Sequence, residues 1–498
     1  MPTSAFLGVD IGTSSSKGVL TLADGTLVRS AVREHSVSRP APGQVEMDGE
    51  LWWDEFVEIA AELTGPGAVV VDAVGVSGMG PCVLLTDADD QPVRPAILYG
   101  VDTRATAQIA ELEAELGREQ VLEQSGSVLS SQAVGPKLRW VAQEEPEVWR
   151  RARRMFMPAS WLAFRLTGAY ALDQHSASQC TPMYDRHTQD WHEHWAGVVA
   201  EHLDLPTLAW SGDQAGRTSQ EIGGIPAGTP VTVGTIDAWS EAVSVDAQNV
   251  CDLMLMYGTT MFLIATVPEP VTSEVMWGTT GVRSGTRNLA GGMASSGALT
   301  AWVRDLTGGC DYPTLLAEAT ESGPGAQGLL ALPYFAGERT PVFDPQARGA
   351  ILGLSLTHTR GDLYRAVLEA TAYGVRHNVE AMREAGVQVE RVVAVGGGTQ
   401  GELWTQIVSD VTGLDQVVPT HTIGASYGAA YLAAGMVTDV DIAQWNPPSH
   451  TCSPDPDRAA HYARLYDLYL DLYPATKHLT HTLVDLSHPV DVSPQGES

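Results

Sequence analysis

The chain has 498 residues, 44% of them hydrophobic and 18% charged, a globular composition too long for one compact core, so two or three domains are expected. Asp and Glu outnumber Lys and Arg by 60 to 29, a formal net charge of −31, which repels nucleic acid and anionic membrane, and an anionic substrate would need cations such as Mg2+ brought to its site. Cys82, Cys180, Cys251, Cys310 and Cys452 are scattered without a C-x-x-C pair, no signal-length apolar run follows a basic N-terminus, and no window approaches a membrane span, so a cytoplasmic chain without a cysteine metal cage is expected.

The first folded stretch is Phe6-Leu-Gly-Val-Asp10-Ile-Gly12-Thr13-Ser14-Ser15-Ser16-Lys17-Gly18-Val-Leu-Thr-Leu22. Apolar runs at Phe6 to Val9 and Val19 to Leu22 flank a hydroxyl-rich turn, which predicts a β-hairpin. N–H and O–H donors in such a turn suit a polyphosphate, Lys17 adds a positive charge, and Asp10 at the strand end can hold a magnesium ion through water. A hairpin with a serine-rich loop is the plain alternative. Neither G-x-x-x-x-G-K-[ST] nor G-x-G-x-x-G occurs in this turn. Strand-like runs follow at Leu27 to Arg33 and near Val45, and Trp52 to Ala60 has helical spacing. Val69 to Val76 reads as a strand buried on both faces, ending in the loop Ser77-Gly-Met79-Gly80-Pro81-Cys82. Short strands are predicted at Val83 to Leu85 and Pro95 to Leu98, the latter ending in Asp102-Thr-Arg104. Helical patterns cover Thr103 to Leu116, Pro136 to Ala142 and Ser160 to Leu166, and Val231 to Gly234 leads into Thr235-Ile-Asp237-Ala-Trp-Ser-Glu241.

The pattern restarts after Asn249. Leu253 to Ile264 is again strand, Gly-Thr turn, strand, and Leu255-Met-Tyr-Gly258-Thr259-Thr260 echoes Val9-Asp-Ile-Gly12-Thr13-Ser14. The echo suggests two related halves with a boundary near 246. The second half adds a loop into a helix at Ala294 to Asp305, a strand and polar loop at Leu329 to Pro341, and a long amphipathic helix over Asp362 to Glu384. A buried strand at Val392 to Val395 precedes Gly396-Gly397-Gly398 and a helix over Glu402 to Val411. A small-residue helix at Ala425 to Gly435 can pack closely, His461 to Leu472 is a last helix, and a polar tail follows from 487. The organisation expected is therefore 1–246, 247–486 and a tail over 487–498.

Glycine-rich turns at Gly12-Thr13, Gly258-Thr259-Thr260 and Gly396-Gly397-Gly398 each follow a strand, and two of them stand in matching positions of the halves. Together they point to a nucleotide cleft between domains. Asp237, past a short strand and beside the boundary, can take the proton of an attacking hydroxyl. Spacing alone favours a helix N-cap for it. Glu338-Arg339 reads as a structural salt bridge, Asp102 with Arg104 is open between salt bridge and site, and Lys137-Leu-Arg-Trp140 reads as core with a snorkelling lysine.

These residues resemble the FGGY family of carbohydrate kinases and, within it, the xylulokinase-like pentulose kinases. The match covers nearly the whole chain. Gly349-Ala-Ile-Leu-Gly353-Leu354 followed by Asp362-Leu-Tyr-Arg-Ala366-Val-Leu-Glu369 fits the family's C-terminal signature at every position, and Lys137 to Glu144 fits the second part of the N-terminal one, while Gln132 and Val134 depart from its first part. The resemblance implies an α/β, two-lobed, actin-like (ribonuclease H-like) ATPase fold with ATP, Mg2+ and a small-molecule sugar in the interdomain cleft. It makes Asp237 the general base and Asp10 the magnesium-associated carboxylate. Gly12, Thr13, Ser14, Lys17, Gly258, Thr259 and Thr260 would face phosphates, and Gly297, Gly397, Gly398 and Gly401 the adenosine. Such kinases carry Met-His after the buried strand, where this chain has Met79-Gly80-Pro81, and Trp-Asn-Asp where it has Tyr99-Gly100-Val101-Asp102. Met79, Asp102 and Gln132, with Asp237, are the sugar-facing candidates. A ribulose, hexulose or erythritol kinase is the alternative enzyme, and an actin-like sugar sensor the alternative class. Oligomeric state is not encoded legibly, and a homodimer stays open.

Overall fold

The computed structural model describes residues 3–65 and 69–487. The tail expected over 487–498 lies, apart from Ser487, outside the described residues. Two mixed sheets form the frame. In the first, Leu27–Glu34, Ser15–Thr21 and Thr3–Ile11 run antiparallel, Val69–Gly78 and Pro230–Thr232 add in parallel, and Gln214–Arg217 closes the edge antiparallel. In the second, Arg287–Met293, Met261–Val267 and Asp252–Tyr257 are antiparallel, Arg391–Val395 and Gln416–Pro419 parallel, and Pro448–Cys452 antiparallel. Order and sense are the same in both, so the short Gly-Thr echo marks two equivalent hairpins. Each hairpin turn closes on itself, with the N–H of Gly12 on the Ser15 carbonyl at 3.1 Å and that of Gly258 on the Thr260 carbonyl at 3.1 Å.

The helix Gly49–Thr64 covers one face of the first sheet. Asp48 caps it through the N–H of Glu50, and Trp52, Phe56, Ile59, Ala60 and Leu63 recur at helical spacing and are buried. The other face is covered from far along the chain. The helix Ala425–Val437, from the second half, lies on Thr3–Ile11 and Val69–Gly78 of the first sheet and against the helix Asp237–Ser244. Small residues allow the approach. A β-carbon on Gly8 would sit 2.0 Å from the Ser426 carbonyl oxygen, one on Gly75 1.8 Å from that of Ala429, and one on Gly428 1.8 Å from that of Ser240. Tyr427 and Trp445 fasten the same region to the turn at Ala23 and Gly25.

The helix Asp237–Ser244 lies in the seam between the lobes. Ile236, Trp239, Ala242 and Val243 share one buried apolar cluster with Met254, Ile264, Ala290, Val393 and Val395 of the second sheet. This core is the floor of the cleft. The last helix is longer than expected, Pro456–Ser487, and continues through Pro474. Its early turns bury Tyr462, Tyr466 and Tyr469, and its later ones are tied to Asp344 by Tyr473, Lys477 and His481. These tertiary contacts offset the backbone hydrogen bond that proline removes. Among the described residues no helix is long and apolar enough to cross a membrane, and the five cysteines are unpaired.

Candidate active site in the interlobe cleft

Two cavities meet at Thr259. One, about 680 Å³, is lined by Gly258, Thr259, Gly297, Tyr312, Tyr364, Gly397, Gly398, Gly401 and Trp404. The other, about 570 Å³, is lined by Asp10, Lys17, Gly80, Tyr99, Gln132, Gln179, Asp237, Glu241, Thr259, Thr260, Trp277 and Arg339, among others.

The first cavity is built on backbone. Gly396, at φ 94°, turns the chain off the strand Arg391–Val395, and a β-carbon there would meet the Tyr257 carbonyl oxygen at 2.6 Å. Gly397 faces open space, so this wall is flat toward the cavity. Gly297 opens the helix Gly297–Leu306 and docks it on the second hairpin: the N–H groups of Ser296 and Ala298 reach the Thr259 carbonyl, and that of Gly297 reaches Gly258 at 2.9 Å. A side chain at Gly297 would meet the Gly258 oxygen at 2.6 Å. The outer wall comes from Tyr312, Pro313 and Leu316 of the helix Tyr312–Ser322, an element absent from the sequence expectation. Its signal was present, since Asp311 caps the N–H of Thr314 and Pro313 stands in the first turn.

The second cavity is built on side chains. Asp10 lies opposite Ser77 across parallel strands and accepts its hydroxyl hydrogen at 2.8 Å. Asp237 is the first residue of its helix, with Ile236 in the cap position and no side-chain cap bond, so the capping role that spacing favoured is not the one it plays. Its Oδ1 accepts the N–H of Ala238 at 2.7 Å. Burial pushes Asp10 above the usual carboxylate range, the Asp237 charge adds to it, and the Ser77 hydroxyl opposes. Burial likewise raises Asp237, against the Ala238 N–H. Glu241 is pushed up to about 7, first by burial and then by Asp237, with Lys17 opposing. Among the described residues no three acidic, histidine or cysteine side chains could hold a metal ion by themselves. The carboxylate oxygens of Asp10, Asp237 and Glu241 are hard donors that fit magnesium completed by water and phosphate oxygens.

Thr13 bonds Tyr99 through the two hydroxyls at 3.0 Å and lies 3.6 Å from the sulfur of Met79. Ser14 and Lys17 are exposed. Of the sugar-facing candidates, Gln132 lines the cleft, whereas Met79 is buried behind Thr13 and does not. Asp102 is a correction. It is buried, with Oδ2 accepting the Val45 N–H at 2.6 Å and pairing with Arg104 at 2.7 Å, while Arg104 also meets Glu46 at 2.7 Å. This carboxylate is engaged in an internal ion pair and does not line the cleft. The reverse holds for Glu338-Arg339. Glu338 accepts the backbone N–H groups of Ala294 and Arg339, among the described residues it forms no ion pair with the Arg339 guanidinium, and Arg339 lines the cleft. Lys137 is buried as core, its ammonium on the Ser131 carbonyl at 2.5 Å. Sequence reading also missed Gln179 and Trp277 as cleft residues, while Tyr99, in a stretch expected to face the sugar, lines the cleft.

Two lobes of one topology, whose hairpins border a single cleft through Asp10 and Lys17 and through Thr259 and Thr260, with Asp237 beside them, have the arrangement of an actin-like ATPase fold. The sequence profile of the FGGY family of carbohydrate kinases matches over both halves, the N-terminal domain at residues 5–244 and the C-terminal domain at 253–436. The xylulose kinase of Escherichia coli K12 is 30% identical over 488 residues, covering 94% of this chain and 98% of that one. The crystal structure of xylulose kinase from Rhodospirillum rubrum superposes with a TM-score of 0.89 at 30% identity, covering 96% of this chain and 100% of the other. A kinase from Brucella ovis gives 0.88 at 27% identity, covering 95% and 100%. The chain belongs to the FGGY family of carbohydrate kinases. It is an ATP-dependent sugar phosphotransferase.

The half-buried Asp237 gives one pH prediction. A base must be unprotonated, and burial raises the pKa of this one, so kcat/KM should fall on acidification well above the ordinary aspartate value of about 4. A pH–rate profile at subsaturating sugar measures it. An acid limb at the ordinary value would show that the free enzyme's limb does not report this group.

Proposed function

We propose that the protein transfers the γ-phosphoryl group of ATP to the terminal hydroxyl of a pentulose. The adenosine would lie in the backbone-walled cavity against Gly297, Gly397, Gly398 and Gly401, and the sugar in the side-chain cavity beside Asp237 and Gln132. The observation that carries the reading is the junction: Thr259 borders both cavities, so a triphosphate leaving the first reaches Asp237 in the second. Asp237 would take the hydroxyl proton as the sugar oxygen attacks phosphorus. The turn donors at Gly12 to Ser14 and Gly258 to Thr260, with Lys17, would spread the charge on the transferring group. Magnesium, held near Asp10 through water, would supply further neutralisation of the phosphate oxygens. The cleft floor and the Trp277 wall would keep competing water from the phosphorus. Xylulose kinases among the relatives support a pentulose. A second reading, another ketose or a polyol, rests on Gly80, which lines the cleft without a side-chain donor at the loop where the family's histidine is expected. An ATP-coupled screen of D-xylulose, D-ribulose, hexuloses and four- and five-carbon polyols tests both. The expected result is sugar-dependent ADP release, highest with a pentulose. A hexulose or polyol preferred over both pentuloses would favour the second reading, and no sugar dependence would remove both.

A further inference from the structure

Gln179 lines the cavity that holds Asp237, just after the short helix Gln174–Ser178. Its amide nitrogen is 2.8 Å from Nε2 of His175, and Nδ1 of that ring is 2.8 Å from the carbonyl oxygen of Thr280. A carbonyl only accepts, so Nδ1 carries hydrogen and donates. The ring is fully buried, lies 3.8 Å from that of Trp239, and burial pushes its pKa down to about 3, so it is neutral. A neutral ring protonated at Nδ1 presents a lone pair at Nε2, which takes an N–H of Gln179. The carboxamide is thereby locked with nitrogen toward His175 and oxygen left for the cleft. Gln132 is locked the opposite way: its Oε1 accepts the Gly100 N–H at 3.0 Å, leaving the amide N–H groups. Both glutamines and Trp277 border a small recess of about 20 Å³ that neither Asp237 nor Thr259 borders.

We propose that Gln179 reads the hydroxyl at the non-reacting end of the sugar, accepting its hydrogen through Oε1 while Gln132 donates to the neighbouring oxygen, and that His175 is the positioning residue that fixes this polarity. The inference rests on the kinase reading above and names the group by which the site selects. The pair suits a hydroxyketone end, HO–CH2–C=O, in which the hydroxyl can donate and the carbonyl can only accept. Thr280 ends the strand Trp277–Thr280, which pairs antiparallel with Arg287–Met293 at the edge of the second sheet, and His175 belongs to the first half of the chain. The polarity is therefore set only while the lobes stand as they do here, and Thr280 adds its N–H to the Ser178 hydroxyl at 3.1 Å and its hydroxyl to that of Tyr184 at 3.1 Å.

The test compares D-xylulose and D-ribulose with their 1-deoxy analogues in the unsubstituted enzyme, in Gln179→Ala and in His175→Phe, which keeps a ring against Trp239 but has no ring nitrogen. In the unsubstituted enzyme the 1-deoxy sugar should lose about tenfold in kcat/KM, the factor of one ordinary hydrogen bond. In both variants that gap should close, because the parent sugar falls to the level of its analogue, while KM for ATP holds; His175→Phe, which leaves the Thr280 carbonyl unpaired, should also lower the unfolding midpoint without abolishing the cooperative transition. A gap that persists undiminished in folded Gln179→Ala overturns the assignment of Gln179. A gap that closes there but persists in folded His175→Phe overturns the positioning role. Absence of sugar-dependent ADP release from the unsubstituted enzyme overturns the kinase reading itself, and the inference with it.

Discussion

Asp237→Asn is expected to lower kcat by roughly 10²–10⁴, the range for a lost general base, with the fold intact. The substitution keeps the size of the side chain and an oxygen able to accept the Ala238 N–H, the hydrogen bond now held at 2.7 Å. It removes the negative charge and the basic lone pair. Because Asp237 starts its helix without capping it, the helix should not unravel. Burial already holds the carboxylate against ionisation, and the neutral amide relieves its repulsion on Asp10 and Glu241, so stability should be unchanged or slightly higher. Steady-state turnover beside a thermal unfolding curve separates the two effects. A folded variant with near-normal kcat would remove Asp237 from the proton transfer.

Gly75→Ala is expected to destabilise the protein at or beyond the upper end of the roughly 1–3 kcal/mol usual for overpacking. The added carbon would sit 1.8 Å from the Ala429 carbonyl oxygen and 2.4 Å from its carbon. Both are backbone atoms of the helix Ala425–Val437, so no rotamer change relieves them. The helix cannot rock away cheaply, because Gly8 and Gly428 are jammed in the same manner against Ser426 and Ser240. Moving it would also drag the wall Thr422 to Ala425 and break the 2.8 Å bond from the Ser240 hydroxyl to the Ala425 carbonyl, beside Asp237. Denaturant unfolding with activity read in parallel should show both fall. An unchanged midpoint would mean that the sheet and helix can separate without cost.

The residues legible in the sequence were those whose chemistry is local. A Gly-Thr turn between apolar runs, the triple glycine after Val395 and the small-residue helix each declare themselves within a dozen positions, and the repeat of the first turn pointed to the shared topology. Asp102 was misread because an acid at a strand end looks the same whether it meets a sugar or an arginine. What decides is that Val45 and Glu46 come to Arg104 across the fold. Gln179 carried no signal at all, since its direction depends on a carbonyl in the other half of the chain. The strand Arg287–Met293 was hidden by Gly291-Gly292, the first leaving room for Thr340 and Asn378 and the second for the Phe262 ring.

The covering of the first sheet by Ala425–Val437 has a consequence for how the protein is made. When the ribosome has completed the strands that build that sheet, one face still shows Gly8, Ala73 and Gly75, and nothing yet synthesised fits them. The intermediate sequence supplies Asp237, the backbone-walled cavity and most of the second sheet before the helix emerges. Domains usually fold as units during synthesis, N-terminal first. Here the earlier lobe must wait, open-faced, for a segment made only after most of the second sheet, and closing so long a loop slows folding. A nascent chain released before residue 437 should therefore depend on chaperones far more than the finished one, and the first lobe expressed alone should aggregate.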